Sequence, residues 1–153
     1  MHLGKNKARH CCLSSFQQLR RLEEADSRGV VFCISCGRPM KWTEAQGGHY
    51  IPRTCIATEM ESDNVFPQCL YCNCMLEGNN ENYRRRLAGL IGESRVERLE
   101  NMRDAWKGDD EALASLSAED RLKVSMKRSS AFYTEENNRL RLEIKRLRRK
   151  KSI

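Results

Sequence analysis

Residues 33–79 read CISCGRPMKWTEAQGGHYIPRTCIATEMESDNVFPQCLYCNCMLEGN, and this stretch decides the fold. Two Cys-x-x-Cys pairs, Cys33/Cys36 and Cys69/Cys72, bracket it. Four thiolates in two short knuckles can close a tetrahedral site for Zn²⁺, which prefers soft sulfur ligands. Such an ion can fold a segment too small to bury a core of its own. The 32 residues between the pairs are too many for a minimal zinc ribbon, so the knuckles clamp an insert. Cys74 could compete as a ligand, but the repeated two-residue spacing favours Cys69 and Cys72. Cys55 has no partner at ligand spacing. Cys11 and Cys12 are adjacent and poorly placed to share one ion, so they are expected to be free thiols.

The insert carries a single histidine, His49, directly after Gly47-Gly48, with Asn64 further on and Asn73 just past the second knuckle. A Gly-Gly pair marks a turn or bulge that can aim the next side chain out of a hairpin. A neutral imidazole accepts a proton from water near neutral pH. An asparagine carbonyl can orient that ring, and a second asparagine offers a hard oxygen to Mg²⁺. Base, orienter and metal ligand are the parts of a one-metal phosphodiesterase. A lone histidine is more often surface decoration or a satisfied core residue, so the three positions matter as a set.

Working outward, Phe16, Leu19 and Leu22 recur at helical spacing, and Ser14 or Ser15 can cap a helix running to about residue 28. Val30, Val31 and Phe32 suit a short strand into the first knuckle. Residues 40–52 are expected to form a hairpin, 54–63 a loop and 69–77 a helix ended by Gly78. Leu87, Leu90, Ile91, Val96 and Leu99 form an apolar stripe expected to pack on the zinc unit. Ser117 is a good cap for a helix beginning SAED. Tyr133, Asn137, Leu140, Ile144 and Leu147 make a short heptad seam, which either pairs with a second copy as a homodimer or packs on its own domain.

Charged residues are 32% of the chain and aromatics 7%, so the core must be small. Residues 139–151 hold eight Lys or Arg and one acid, Glu143, while the remaining basic and acidic residues balance at twenty each. A neutral body with a basic tail points to an anionic partner, nucleic acid foremost. No apolar run is long enough to span a membrane, and no apolar run follows the basic start as in a signal peptide. A cytoplasmic location is therefore expected, and there paired Cys-x-x-Cys motifs read as metal ligands.

The Cys-x-x-Cys, Gly-His-Tyr, Asn, Cys-x-x-Cys-Asn and Gly-Asn series resembles the HNH, or treble-clef, nuclease superfamily. QCLYCNCMLEGN looks like the corresponding helix of phage endonuclease VII. The nearest resemblance is to the bacteriophage NinG (Rap) recombination proteins, across CISCG, GHY, QC-x-x-CN, and GN followed by Tyr83-Arg84, Leu87 and Ile91-Gly92, roughly residues 15–103. It implies an α+β, zinc-stabilised ββα-metal unit with flanking helices and a basic C-terminal helix. It also implies a structure-selective DNA endonuclease for branched recombination intermediates such as Holliday junctions and D-loops, phage- or prophage-encoded and working in a bacterial host. Carried over by position, Cys33, Cys36, Cys69 and Cys72 hold structural zinc, His49 is the general base, Asn64 orients it, and Asn73 binds catalytic Mg²⁺.

Many HNH enzymes carry an aspartate before the histidine as a second metal ligand, and here that place is Gly48. That leaves the second protein ligand open, with Glu44, Asp63 and Glu77 as candidates. Arg84 and Arg85 at a helix start, and Lys145, Arg146, Arg148 and Arg149 in the tail, are expected to contact DNA phosphates. The expected organisation is a disordered basic segment (1–12), a zinc-bound nuclease domain (13–106), a linker with a helix (107–133) and a basic helix (134–153). The competing expectation is a non-catalytic zinc-stapled DNA-binding accessory protein, with Gly48 in its favour.

Overall fold

The computed structural model describes residues 2–153, with side chains from residue 7 onward. Helix α1 spans His2–Glu24. It is followed by β1 (Val30–Phe32), β2 (Pro39–Lys41), β3 (Gln46–His49) and β4 (Val65–Gln68). Helices α2 (Asn80–Ile91), α3 (Glu93–Trp106), α4 (Asp110–Ser115), α5 (Ala118–Ser125) and α6 (Ser130–Lys151) complete the chain. β1 pairs antiparallel with β2, and β3 with β4, giving two separate two-stranded sheets. The result is a mixed helix and small-sheet protein. Among the described residues, no helix is long and apolar enough to cross a membrane.

β4 is buried along its whole length because both of its faces are covered. Successive side chains of a strand point to opposite faces. Val65 accordingly joins a core with Phe16, Leu19 and Leu22 of α1 and with Tyr133, Leu140 and Ile144 of α6. Phe66 joins a second core with Tyr83, Leu87, Val96, Leu99 and Met102 from α2 and α3.

α1 and α6 run parallel. Ser15 Oγ donates to Asn137 Oδ1 at 2.7 Å near one end, and Lys151 Nζ donates to the Glu23 carbonyl at 2.9 Å near the other. The heptad seam of α6 is thus spent inside the chain, and its asparagine is satisfied by Ser15. A homodimer built on that seam would have to displace α1.

Several expectations change. Residues 7–12, expected to be disordered, belong to α1, because Cys12 packs in the core and Arg9 pairs with buried Glu59; Met1 lies outside the described residues. Ser14 and Ser15 are therefore interior to the helix. The expected 40–52 hairpin does not form: β2 and β3 lie in different sheets, each finding a partner across a knuckle or the long loop. The expected 69–77 helix is one wide turn, Tyr71–Met75, closed by Leu76 N–H on the Tyr71 carbonyl at 3.0 Å. Leu90 faces away from the stripe and is 58% exposed. The 107–133 region holds α4 as well as α5, and Ser117 caps α5 through the Asp120 N–H at 3.1 Å. α6 starts earlier than expected, at Ser130, capped by Ser129.

Candidate functional site

The first knuckle sits at the tip of the β1–β2 hairpin and the second on the wide turn after β4. Gly37, at φ +77°, lets the first knuckle turn so that its N–H reaches the Cys33 carbonyl at 2.8 Å. The four sulfurs of Cys33, Cys36, Cys69 and Cys72 all lie within 4.8 Å of one another, and Cys36 Sγ is 3.8 Å from Cys69 Sγ. Tetrahedral Zn–S bonds of about 2.3 Å require a sulfur separation of about 3.8 Å, so this donor set fits zinc. Burial raises the Cys33 thiol, but backbone N–H groups of Cys69, Cys36 and Ser35 outweigh it and hold it at about 7. Burial pushes Cys72 up to about 12, and Asn79 Nδ2, donating to its sulfur at 3.4 Å, opposes that rise. Cys11 and Cys74 are exposed, and Cys12 and Cys55 are buried in the two apolar cores, all outside the cluster.

His49 ends β3. Gly47, two residues before it on the same face, lies against α1, and a Cβ there would come within 2.6 Å of Gln17 Cβ. The Gly-Gly pair is thus a packing requirement rather than the expected turn: it lets α1 lie close against β3. His49 Nε2 lies 3.0 Å from the Glu59 carbonyl. A carbonyl only accepts, so Nε2 carries the proton and Nδ1 holds the lone pair, which accepts a long hydrogen bond from Gln17 Nε2 at 3.5 Å. Burial lowers the imidazole below its ordinary value, which keeps the ring neutral at pH 7.

His49 and Asn73 line one cleft of about 550 Å³ together with Gln17, Arg21, Arg53 and Glu77. Asn73 Nδ2 donates to Gln46 Oε1, which leaves its carbonyl oxygen as the acceptor. Glu77 is the acidic residue among those lining the cleft. Asp63 is taken up by Arg95, on another face, and Glu44 does not line the cleft.

Asn64 corrects the expected role of orienter. It is fully buried, accepts from Ile51 N–H at 2.7 Å, and donates to the carbonyls of Ile51 at 2.9 Å and Thr58 at 3.0 Å. It clamps the loop that delivers the Glu59 carbonyl to His49, one step from the ring.

Gly48 faces away from the cleft. A Cβ at this position would fall 2.2 Å from Oε1 of Gln68, whose amide nitrogen is fixed to Ser35 and to the Gly78 carbonyl. Tyr83 was missed as a positioning residue. Its buried hydroxyl accepts from Phe66 N–H at 3.1 Å and donates to the Gly48 carbonyl at 2.9 Å, fixing the strand pair beside His49. Glu59 was missed as well. It is fully buried, and its carboxylate holds Arg9, Arg128 and the Tyr133 hydroxyl. A lone acid within the otherwise weakly polar run CIATEM is the signal that could have marked it.

Of the expected phosphate contacts, Arg84 is engaged within the chain: its guanidinium is held by Glu100 and Glu93, which also raise its pKa. Arg85 is exposed and rests on Asn82 at 2.7 Å. Lys145, Arg146, Arg148 and Arg149 are exposed on α6. Lys145, Arg148 and Arg149 line a groove with Gln18 of α1. Gln17, next to Gln18 on the helix, lines the His49 cleft, so the basic groove and the cleft lie on neighbouring faces of α1. Arg53, exposed at the cleft, is a further cation that sequence reasoning did not single out.

A family model described as Bacteriophage Lambda NinG protein matches residues 13–130. The chain belongs to the NinG family. The match is wider than the expected 15–103 and takes in α4 and α5 as well as both knuckles, His49 and Asn73. It stops where α6 begins, so the basic helix lies outside the part the NinG model covers. NinG membership suggests a function related to phage recombination. No curated protein and no solved structure matches the chain.

Proposed function

We propose that this NinG-family protein is a Mg²⁺-dependent endonuclease of the HNH type that cuts branched DNA intermediates of phage recombination, with zinc in a purely structural role. The observation that carries the reading is the meeting of His49 and Asn73 in one cleft, although one comes from β3 and the other from the turn that carries the second knuckle. The β3–β4 pair followed by the knuckle turn and α2 resembles the strand-strand-helix order of a ββα-metal unit, which supports the HNH placement.

Once water displaces the long contact from Gln17 Nε2, His49 Nδ1 takes the proton of the attacking water, and the Glu59 carbonyl holds the ring and steadies the imidazolium that forms. Asn73, through its carbonyl oxygen, and Glu77, through its carboxylate, are the oxygen donors that would hold Mg²⁺, and one hard amide oxygen with one carboxylate suits that ion. An ion held there would supply positive charge against the charge that builds on the phosphate and the departing 3′ oxygen. Arg53 adds a cation for the phosphate backbone at the rim, and the α6 groove adds sequence-independent affinity.

The accessory-protein reading drew its support from Gly48. That glycine is explained by Gln68, which leaves no room for a side chain, so its lack of a carboxylate does not argue for a decayed site. The test incubates zinc-loaded protein with a four-way junction and with linear duplex of the same sequence, each with and without Mg²⁺. Junction-selective, Mg²⁺-dependent cutting is expected. Binding without cutting would return the accessory reading.

A further inference from the structure

A second cavity, of about 750 Å³, opens beyond the His49 cleft. Thr54 lines it, and the preceding residue, Arg53, lines the cleft, so the two openings share a rim. Arg9 ties that rim down by donating to the Arg53 carbonyl at 2.5 Å. The cavity walls carry Arg9, Lys127 and Arg128, and no carboxylate is among the lining residues. Glu59 sits beneath, paired with Arg9 at 2.6 Å and with Arg128 at 2.7 Å. One carboxylate against three cations leaves a positive surplus. Lys127 is exposed and has no ion-pair partner among the described residues. Arg128 is nine-tenths buried, and its Nε finds no acceptor among them. Trp106, the last residue of α3, stands at the mouth, 39% exposed, with Met126 beside it in the lining.

An indole face next to surplus cations is the pairing that holds an unpaired nucleotide: the base stacks on the ring and the phosphate meets the cations. The cavity is of a size that encloses a small organic group. We propose that it is a subsite for single-stranded DNA, taking an unpaired nucleotide that flanks the phosphate at His49. Trp106 stacks on the base, and Lys127 faces its phosphate. The strand's path past His49 rests on the nuclease reading, whereas the binding itself does not.

The test uses the full zinc-loaded chain without added Mg²⁺. A short deoxythymidine oligonucleotide is titrated in while tryptophan emission is read, with buried Trp42 as the internal reference. The expected result is quenching in the wild type that is absent in Trp106→Leu. Apparent Kd, read by anisotropy of a labelled oligonucleotide, should rise about tenfold in Trp106→Leu and in Lys127→Glu. Zinc content and melting temperature should match the wild type in both variants, which separates lost stacking from lost folding. Unchanged affinity in the two variants, or no quenching in the wild type, overturns the subsite. A chain that binds the oligonucleotide through Trp106 yet cuts nothing keeps this inference and removes the nuclease reading. One that cuts junctions, with both variants binding and cutting as wild type, removes the subsite alone.

Discussion

The Glu59 carbonyl lies 3.0 Å from His49 Nε2, while the carboxylate of the same residue holds Arg9 of α1, Arg128 and Tyr133 of α6. The residue that sets the imidazole is thus also the electrostatic junction of both terminal helices. Removing one partner of a buried charge pair strands the others. Glu59→Ala should cost about 3 kcal/mol or more in denaturant unfolding, and cleavage should fall with it. Wild-type stability in this variant would mean that the buried network does not exist.

Tyr83 makes a related case with a smaller perturbation. Its hydroxyl serves Phe66 N–H and the Gly48 carbonyl inside the strand pair. Tyr83→Phe leaves both groups buried and unpaired, a cost of about 1–3 kcal/mol. The same change should lower kcat more than it raises KM, because it displaces His49 and not the phosphate-binding cations. Calorimetry and single-turnover kinetics check the two parts.

Much of this arrangement was legible beforehand, and the reasons differ by residue. Cys33, Cys36, Cys69 and Cys72 were readable because zinc demands a local spacing that survives any fold. That His49 and Asn73 would line one cleft was readable because both lie close in sequence to that zinc frame. The role of Asn64 was misplaced because a side chain that braces a loop and one that touches the ring look alike in sequence. Gly47 and Gly48 signalled a turn by composition, yet their reason is the approach of Gln17 and Gln68, contacts from distant parts of the chain. The long α1 and the parallel seam with α6 were hidden for the same cause: residues 7–12 lack periodicity, and their order comes from Glu59 and the core rather than from local propensity.

Gly48 gives a further prediction, since Gly48→Asp would introduce the residue that many HNH enzymes carry before the histidine. Here the new side chain meets buried Gln68 and points away from the cleft. The variant should lose about 1–3 kcal/mol of stability by overpacking and gain no Mg²⁺ affinity. Tighter Mg²⁺ activation in a stable Gly48→Asp protein would show that position 48 faces the metal.

The pH dependence follows from the environment of His49. Catalysis needs the neutral ring, so the rate rises with pH through its pKa and then levels. Burial lowers that pKa in the free protein, so the acid limb of kcat/KM should have its midpoint below the ordinary imidazole value of about 6.5. A limb centred above that value would place a different group, or a differently solvated His49, in the role of base.

The two sets of basic residues should separate cleanly in salt titrations. Lys145→Ala and Arg149→Ala on the α6 groove should each reduce the slope of log K against log salt by about one. Arg84→Ala should leave that slope alone and lower thermal stability instead, because Glu93 and Glu100 already hold its guanidinium.

The most direct measurement compares wild type and His49→Ala on a labelled four-way junction in Mg²⁺, with junction affinity read in parallel. The wild type should cut near the branch, and the variant should bind equally while cutting at least about a hundredfold more slowly. A variant that cuts at the wild-type rate, or a wild type that binds the junction and never cuts it, would contradict the assignment of His49 as the base of a nuclease.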